Sequence, residues 1–158
     1  MDDKFEERFK DMIVLRGGII NEVIFLERVI DDFLSNYFCP DHEKRDEMME
    51  LILTNERYAL GSKIDVLVRI LEKHYNEFYK ANPTIKGDLV FILEKRNVLA
   101  HILLDTTFNG IENETIGFIK YKNRKEIIYF KEDDKIGLNE KIQKYKYAIQ
   151  KLTHPNIN

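Results

Sequence analysis

From Ile20 to Phe38 the chain reads INEVIFLERVIDDFLSNYF, with apolar residues returning every three or four positions. That is the period of an amphipathic α-helix and not of a strand, and it makes the expected fold class mainly α. The same pattern carries back to about Lys4, and Cys39-Pro40 stops it, because proline cannot continue a helix. Gly17-Gly18 interrupts the run. Each glycine costs about 1 kcal/mol in a helix interior, so the pair marks either a break between two helices or a close backbone contact.

Downstream, DHEKRDEMMELILT has the polar start of a short second helix, and LGSKIDVLVRILEKHYNEFY carries Ile64, Leu67, Leu71, Tyr75 and Phe78 on one stripe. Ser62 and Asp65 stand at capping-box spacing there, and ANPT ends the run. A fourth helix is expected from about Ile85 to Leu104. Next, TIGFIKYKNRKEIIYF places two β-branched and aromatic runs around Lys122-Asn123-Arg124-Lys125, a pattern that predicts a small hairpin over about 115–131. Leu138, Ile142, Tyr145, Ile149 and Leu152 then recur at the spacing of a closing amphipathic helix over about 138–152.

A length of 158 residues, 44% hydrophobic and 34% charged, suits one domain spanning 1–158 that buries a core without metal or disulfide. The single Cys39 has no internal partner, and no apolar run follows the charged opening MDDKFEERFK. A reducing cytoplasm is the expected location, and no stretch has the roughly 20 apolar residues that cross a bilayer. A net charge of −3 argues against broad polyelectrolyte binding, although a local basic cleft is compatible with it.

The fourth helix carries EKRNVLAH at 94–101. Advancing about 100° per residue from Arg96 brings Ile85, Leu89, Leu93, Ala100 and Leu103 within roughly 60° of it, in the middle of an apolar stripe. Phe91, Val98 and Ile102 form a second apolar patch. A narrow polar arc between them holds Glu94, Asn97 and His101, the last two one turn apart. A guanidinium keeps its charge, so Arg96 in such surroundings needs a carboxylate, a partner chain or an anionic ligand.

RNVLAH resembles the signature of the HEPN superfamily of helical nucleotide- and RNA-binding domains: Arg, a polar residue, three variable residues, His. The preceding ALGSKIDVLVRIL is similar to the helix that commonly precedes this motif. The resemblance implies an HEPN-like antiparallel helical bundle, here with a small β-hairpin before the C-terminal helix. It also implies a homodimer whose motif helices face each other, and metal-independent cleavage of single-stranded RNA through 2′-hydroxyl attack. His101 is then the acid or base, Arg96 the phosphate ligand and Asn97 the orienting group; no cofactor or metal is involved. A minimal nucleotidyltransferase antitoxin is the partner implied for a toxin of this kind. The layout is also similar to that of mannitol-operon-repressor-like helical proteins, which implies a non-catalytic dimeric interaction or regulatory module of the same fold. On that alternative His101 caps carbonyls, and Arg96 with Asn97 satisfies a carboxylate such as Glu27.

Other chemistries find less in the chain. RILEKH, Arg69 to His74, repeats the Arg-x4-His spacing, but Arg69 falls opposite the Ile64, Leu67, Leu71 stripe and reads as solvated surface. His42, His74 and His154 lie in different elements, which argues against zinc. The two common glycine-rich phosphate loops are absent. YKNRKEIIYFK mixes basic and aromatic residues as RNA-binding strands do, but a solvated hairpin face is the better explanation. The acidic starts of the first two helices suit helix N-termini.

Overall fold

A computed structural model describes residues 3–104, 116–121 and 125–155. The described residues form six α-helices: α1 (Asp3–Phe38), α2 (His42–Met48), α3 (Leu60–His74), α4 (Asn76–Ala81), α5 (Ile85–His101) and α6 (Glu132–Thr153), so the protein is mainly helical. A π-helical turn, Met49–Leu53, follows α2 directly. Three short strands complete the order: β1 (Leu103–Leu104), β2 (Ile116–Tyr121) and β3 (Lys125–Phe130). They form an antiparallel sheet in the order β1-β2-β3, with Leu104 opposite Phe118 and Phe118 opposite Ile128. Residues 122–124 of the expected hairpin turn lie outside the described residues, as does Thr115. No helix among the described residues is long and apolar enough to cross a membrane.

Contacts gather into two compact units. One is Met1–Glu22 with Glu94–Glu140, the other Val23–Leu93 with Lys141–Asn158. In the second, α1 buries Val23, Leu26, Ile30, Phe33 and Leu34, α3 buries Ile64, Leu67 and Leu71, and α6 buries Ile142, Tyr145 and Ile149. These are three- and four-residue steps, which keep one face of each helix out of water. In the first unit Met12, Ile19, Leu99, Phe130 and Leu138 are buried.

Four expectations need correction. Gly17-Gly18 neither breaks α1 nor meets a neighbour: α1 is continuous, both glycines are exposed, and a Cβ at either would touch nothing within 4 Å. Propagation of the ladder from both sides offsets the local propensity cost. Ser62 is not a cap, because the N-cap position is Ala59 and the Ser62 amide already donates to its carbonyl, at 2.9 Å. The third helix stops at His74, where Tyr75 leaves the helical region (φ −127°, ψ 47°) and the Asn76 side chain donates to the Glu72 carbonyl, at 3.3 Å. A side-chain amide there competes with the backbone ladder. Finally, α5 ends at His101 and not at Leu104, because Leu103–Leu104 is drawn into pairing with β2.

Two polar clusters tie helices together within the second unit. Lys63 of α3 is buried, its Nζ 2.6 Å from Glu27 Oε1 and 2.9 and 3.0 Å from the two Asp31 oxygens. Burial pushes the Asp31 carboxyl above its ordinary 3.8, although the Lys63 bond opposes it. At the start of α5, Asp88 accepts from Lys141, from the buried Tyr145 hydroxyl at 2.6 Å and from Thr84 at 2.8 Å. Burial works against its ionised form, but these three donors outweigh it and hold Asp88 below 3.8.

Replacing Gly17 and Gly18 by alanine should stabilise the protein by about 1 kcal/mol each, read as a raised urea midpoint. A loss of stability would mean that the chain bends or packs closely there. The two carboxylates should also shape acid unfolding in opposite senses. Asp31, raised in the folded state, carries its full burial penalty at neutral pH and sheds it as pH falls toward 3.8. Asp88, lowered, contributes stability above 3.8 that disappears as pH falls through its folded value. In urea midpoints taken from about pH 7 to about pH 3, Asp31→Asn should flatten the limb above 3.8 and Asp88→Asn the limb below it. A profile unchanged by either substitution would refute the assignment.

Candidate functional site

Along α5 the buried residues are Ile85, Leu89, Ile92 and Leu99, all at most 1% exposed. At 100° per residue these four share one row, and Arg96 falls inside it. Ile92 and Leu99 belong with the stripe beside Arg96, and Leu93 and Ala100 are only half-buried. Arg96 is half-buried too, so its charge sits among apolar neighbours without leaving solvent entirely. Its Nη1 donates to Asn97 Oδ1, at 3.2 Å. Asn97, His101 and Glu94 are exposed, while Phe91, Val98 and Ile102 are half-buried. The side chain of Leu103 lies outside what is described.

His101 stands on the last residue of α5, one backbone bond before the Ile102 amide closes the final turn on the Val98 carbonyl, at 3.1 Å. Among the described residues its ring has no hydrogen-bond partner, so it does not cap carbonyls there. Arg16 of α1 does: its Nη2 donates to the Ala100 carbonyl, at 3.0 Å. This places a second arginine at the end of the motif, unanticipated from the motif itself. A signal for it exists in the sequence. Met12, Ile13, Ile19 and Ile20 occupy the positions three and four residues from Arg16, the same apolar setting that singles out Arg96.

The carboxylate proposed for Arg96 is engaged elsewhere, since Glu27 accepts from Lys63. Among the described residues neither Arg16 nor Arg96 forms an ion pair with a carboxylate. Both guanidiniums are oriented by neutral oxygens, which fix position and leave the charge in place. Guanidiniums left in this way are suited to an anion, while His101, five residues after Arg96, lies about 140° around the helix from it.

The remaining candidates are dispersed. His42 lies 3.3 Å from Asp46 on an exposed stretch of α2, His74 stacks at a tilt on Tyr37, and His154 Nε2 lies 2.7 Å from Asp32 Oδ2. Among the described residues no three His, Cys, Asp or Glu side chains are grouped to hold a metal ion. Arg69 is exposed, as expected of solvated surface. Cys39 Sγ sits 3.6 Å from Met48 Sδ. No family model, curated protein or solved structure matches the chain.

Because Asn97 and His101 are exposed, Asn97→Ala and His101→Ala should each change stability by less than about 0.5 kcal/mol, whereas Leu99→Ala in the buried row should cost about 2–5 kcal/mol. Urea unfolding of the three variants makes the comparison. A large loss in His101→Ala would identify the histidine as structural.

Proposed function

We propose that the protein is a metal-independent endoribonuclease of HEPN type acting on single-stranded RNA. The observation that carries this reading is Arg96, half-buried in the apolar row of α5, without a carboxylate among the described residues and held by Asn97, which lies one turn from the exposed His101. A guanidinium kept charged in such a place is suited to a phosphate, which it can grip through two parallel N–H donors.

In the proposed reaction His101 accepts the proton of a ribose 2′-hydroxyl. The freed oxygen attacks the adjacent phosphorus, the bond to the 5′-oxygen breaks, and that oxygen leaves with the proton that His101 has accepted. Arg96 donates to the non-bridging oxygens and stabilises the charge that grows on them. An imidazole with an ordinary pKa near 6.5 can serve as acid or base at neutral pH. Asn97 holds Arg96 in register. The products are a 2′,3′-cyclic phosphate and a 5′-hydroxyl, and DNA lacks the attacking group. The HEPN-like bundle, a homodimer that pairs two motif helices, a cytoplasmic setting and an antitoxin partner of minimal nucleotidyltransferase type belong to the same proposal.

Purified protein in EDTA should cut single-stranded RNA, leave cyclic phosphate ends and spare DNA of the same sequence. His101→Ala and Arg96→Ala should each abolish cutting, by a factor of about 10² or more, and sedimentation should give a dimer. Wild-type protein inert toward a broad RNA pool, with Arg96→Ala several degrees less stable, would leave a helical interaction module instead.

A further inference from the structure

We infer that Arg16 and Arg96 form a two-point anion subsite at the C-terminal turn of α5, fitted to neighbouring phosphates of one RNA strand. The inference rests on the ribonuclease reading for the kind of strand, but not on catalysis.

Charge sets the two arginines apart. Arg96 has Ile92, Leu93, Leu99 and Ala100 three and four positions away, and Arg16 has Met12, Ile13, Ile19 and Ile20. Neither helix therefore supplies a carboxylate at the spacing where one would pair. Each guanidinium meets one neutral oxygen, that of Asn97 or of the Ala100 backbone. Of five N–H donors on each, most remain for a ligand. Lys63 and Lys141, by contrast, end on carboxylates.

The positions of the two arginines match as well. Ala100 follows Arg96 by four residues, about 6 Å along the axis, so the two guanidiniums are anchored about one turn apart near the end of α5. The last carbonyls of a helix carry the negative end of its dipole. A phosphate brought to His101 meets that end and is repelled by it. Arg16 sits on one of those carbonyls and reverses the local sign, which Arg96, a turn earlier, does not do. A cap for α5 alone would explain the Ala100 bond; it would not explain two unneutralised cations anchored one turn apart.

The test is binding of a labelled single-stranded RNA of roughly ten nucleotides, followed by anisotropy across a sodium chloride series in EDTA. His101→Ala serves as the parent so that the probe stays intact. Adding Arg16→Gln should weaken binding about tenfold at low salt and reduce the slope of log K against log salt by about 0.7, the loss of one phosphate contact on a single strand. Arg16→Lys, which keeps the charge, should retain most of the slope. An Arg16→Gln protein that melts earlier but keeps the parent affinity and slope would overturn the subsite and reduce Arg16 to a helix cap, as would a parent that binds no RNA. If wild-type protein fails to cut while Arg16→Gln still flattens the slope, the subsite stands and the nuclease falls. If wild-type protein cuts and Arg16→Gln alters neither binding nor cutting, the nuclease stands and the subsite falls.

Discussion

A helix that buries one row of side chains cannot choose which residues lie on it. On α5 the row that removes Ile85, Leu89, Ile92 and Leu99 from water also carries Arg96. Every turn of that helix is committed by the apolar residues, and the arginine follows. Burying four large side chains contributes on the order of 1.5–3 kcal/mol each, enough to hold one half-exposed guanidinium in an unfavourable setting. The apolar row therefore fixes the place of the charge.

The same chain deals with a second out-of-place cation in another way. Lys63 lies next to Ile64 at the start of α3 and is more deeply buried than Arg96, yet it is met by two carboxylates from α1. Burial makes Asp31 hold its proton more tightly there; Glu27 adds to the effect, and Lys63 and Arg28 oppose it. Its Oδ1 stays without a well-aligned hydrogen bond although it lies close to Nζ. Breaking such a cluster costs several kcal/mol, whereas its net contribution to stability is small. Arg96 and Arg16 meet no carboxylate among the described residues, so their charge is left over.

Periodicity made the buried faces of α1, α3 and α6 legible, because a stripe such as Ile142, Tyr145 and Ile149 obeys one spacing whatever it packs against. It could not find the end of α5. Ile102, Leu103 and Leu104 continue an apolar helical pattern, and only pairing with β2, distant in sequence, draws the last two into a strand. Lys63 was hidden for the same reason: a lysine on a helix face reads as solvated until the carboxylates of another helix are known. At Ser62 the spacing of a capping box was present one turn too late. The Arg96, Asn97, His101 constellation was visible as letters, but its setting needed coordinates, since neither the openness of His101 nor the bond from Arg16 follows from RNVLAH.

The π-helical turn after α2 adds one residue to what would otherwise be an ordinary helical end. The Thr54 amide reaches back five positions to Met49, at 3.0 Å, and Leu53 is buried while Leu51 and Ile52 remain exposed. That extra residue acts as a phase shifter. Removing it would return the segment to a four-residue ladder and rotate its last residues by about 100°, turning Leu53 toward water and bringing a polar neighbour inward. A one-residue deletion in this turn is thus a change of facing rather than of length, one that falls on Leu53 and stops short of α3, since residues 54–59 leave the helix before Leu60.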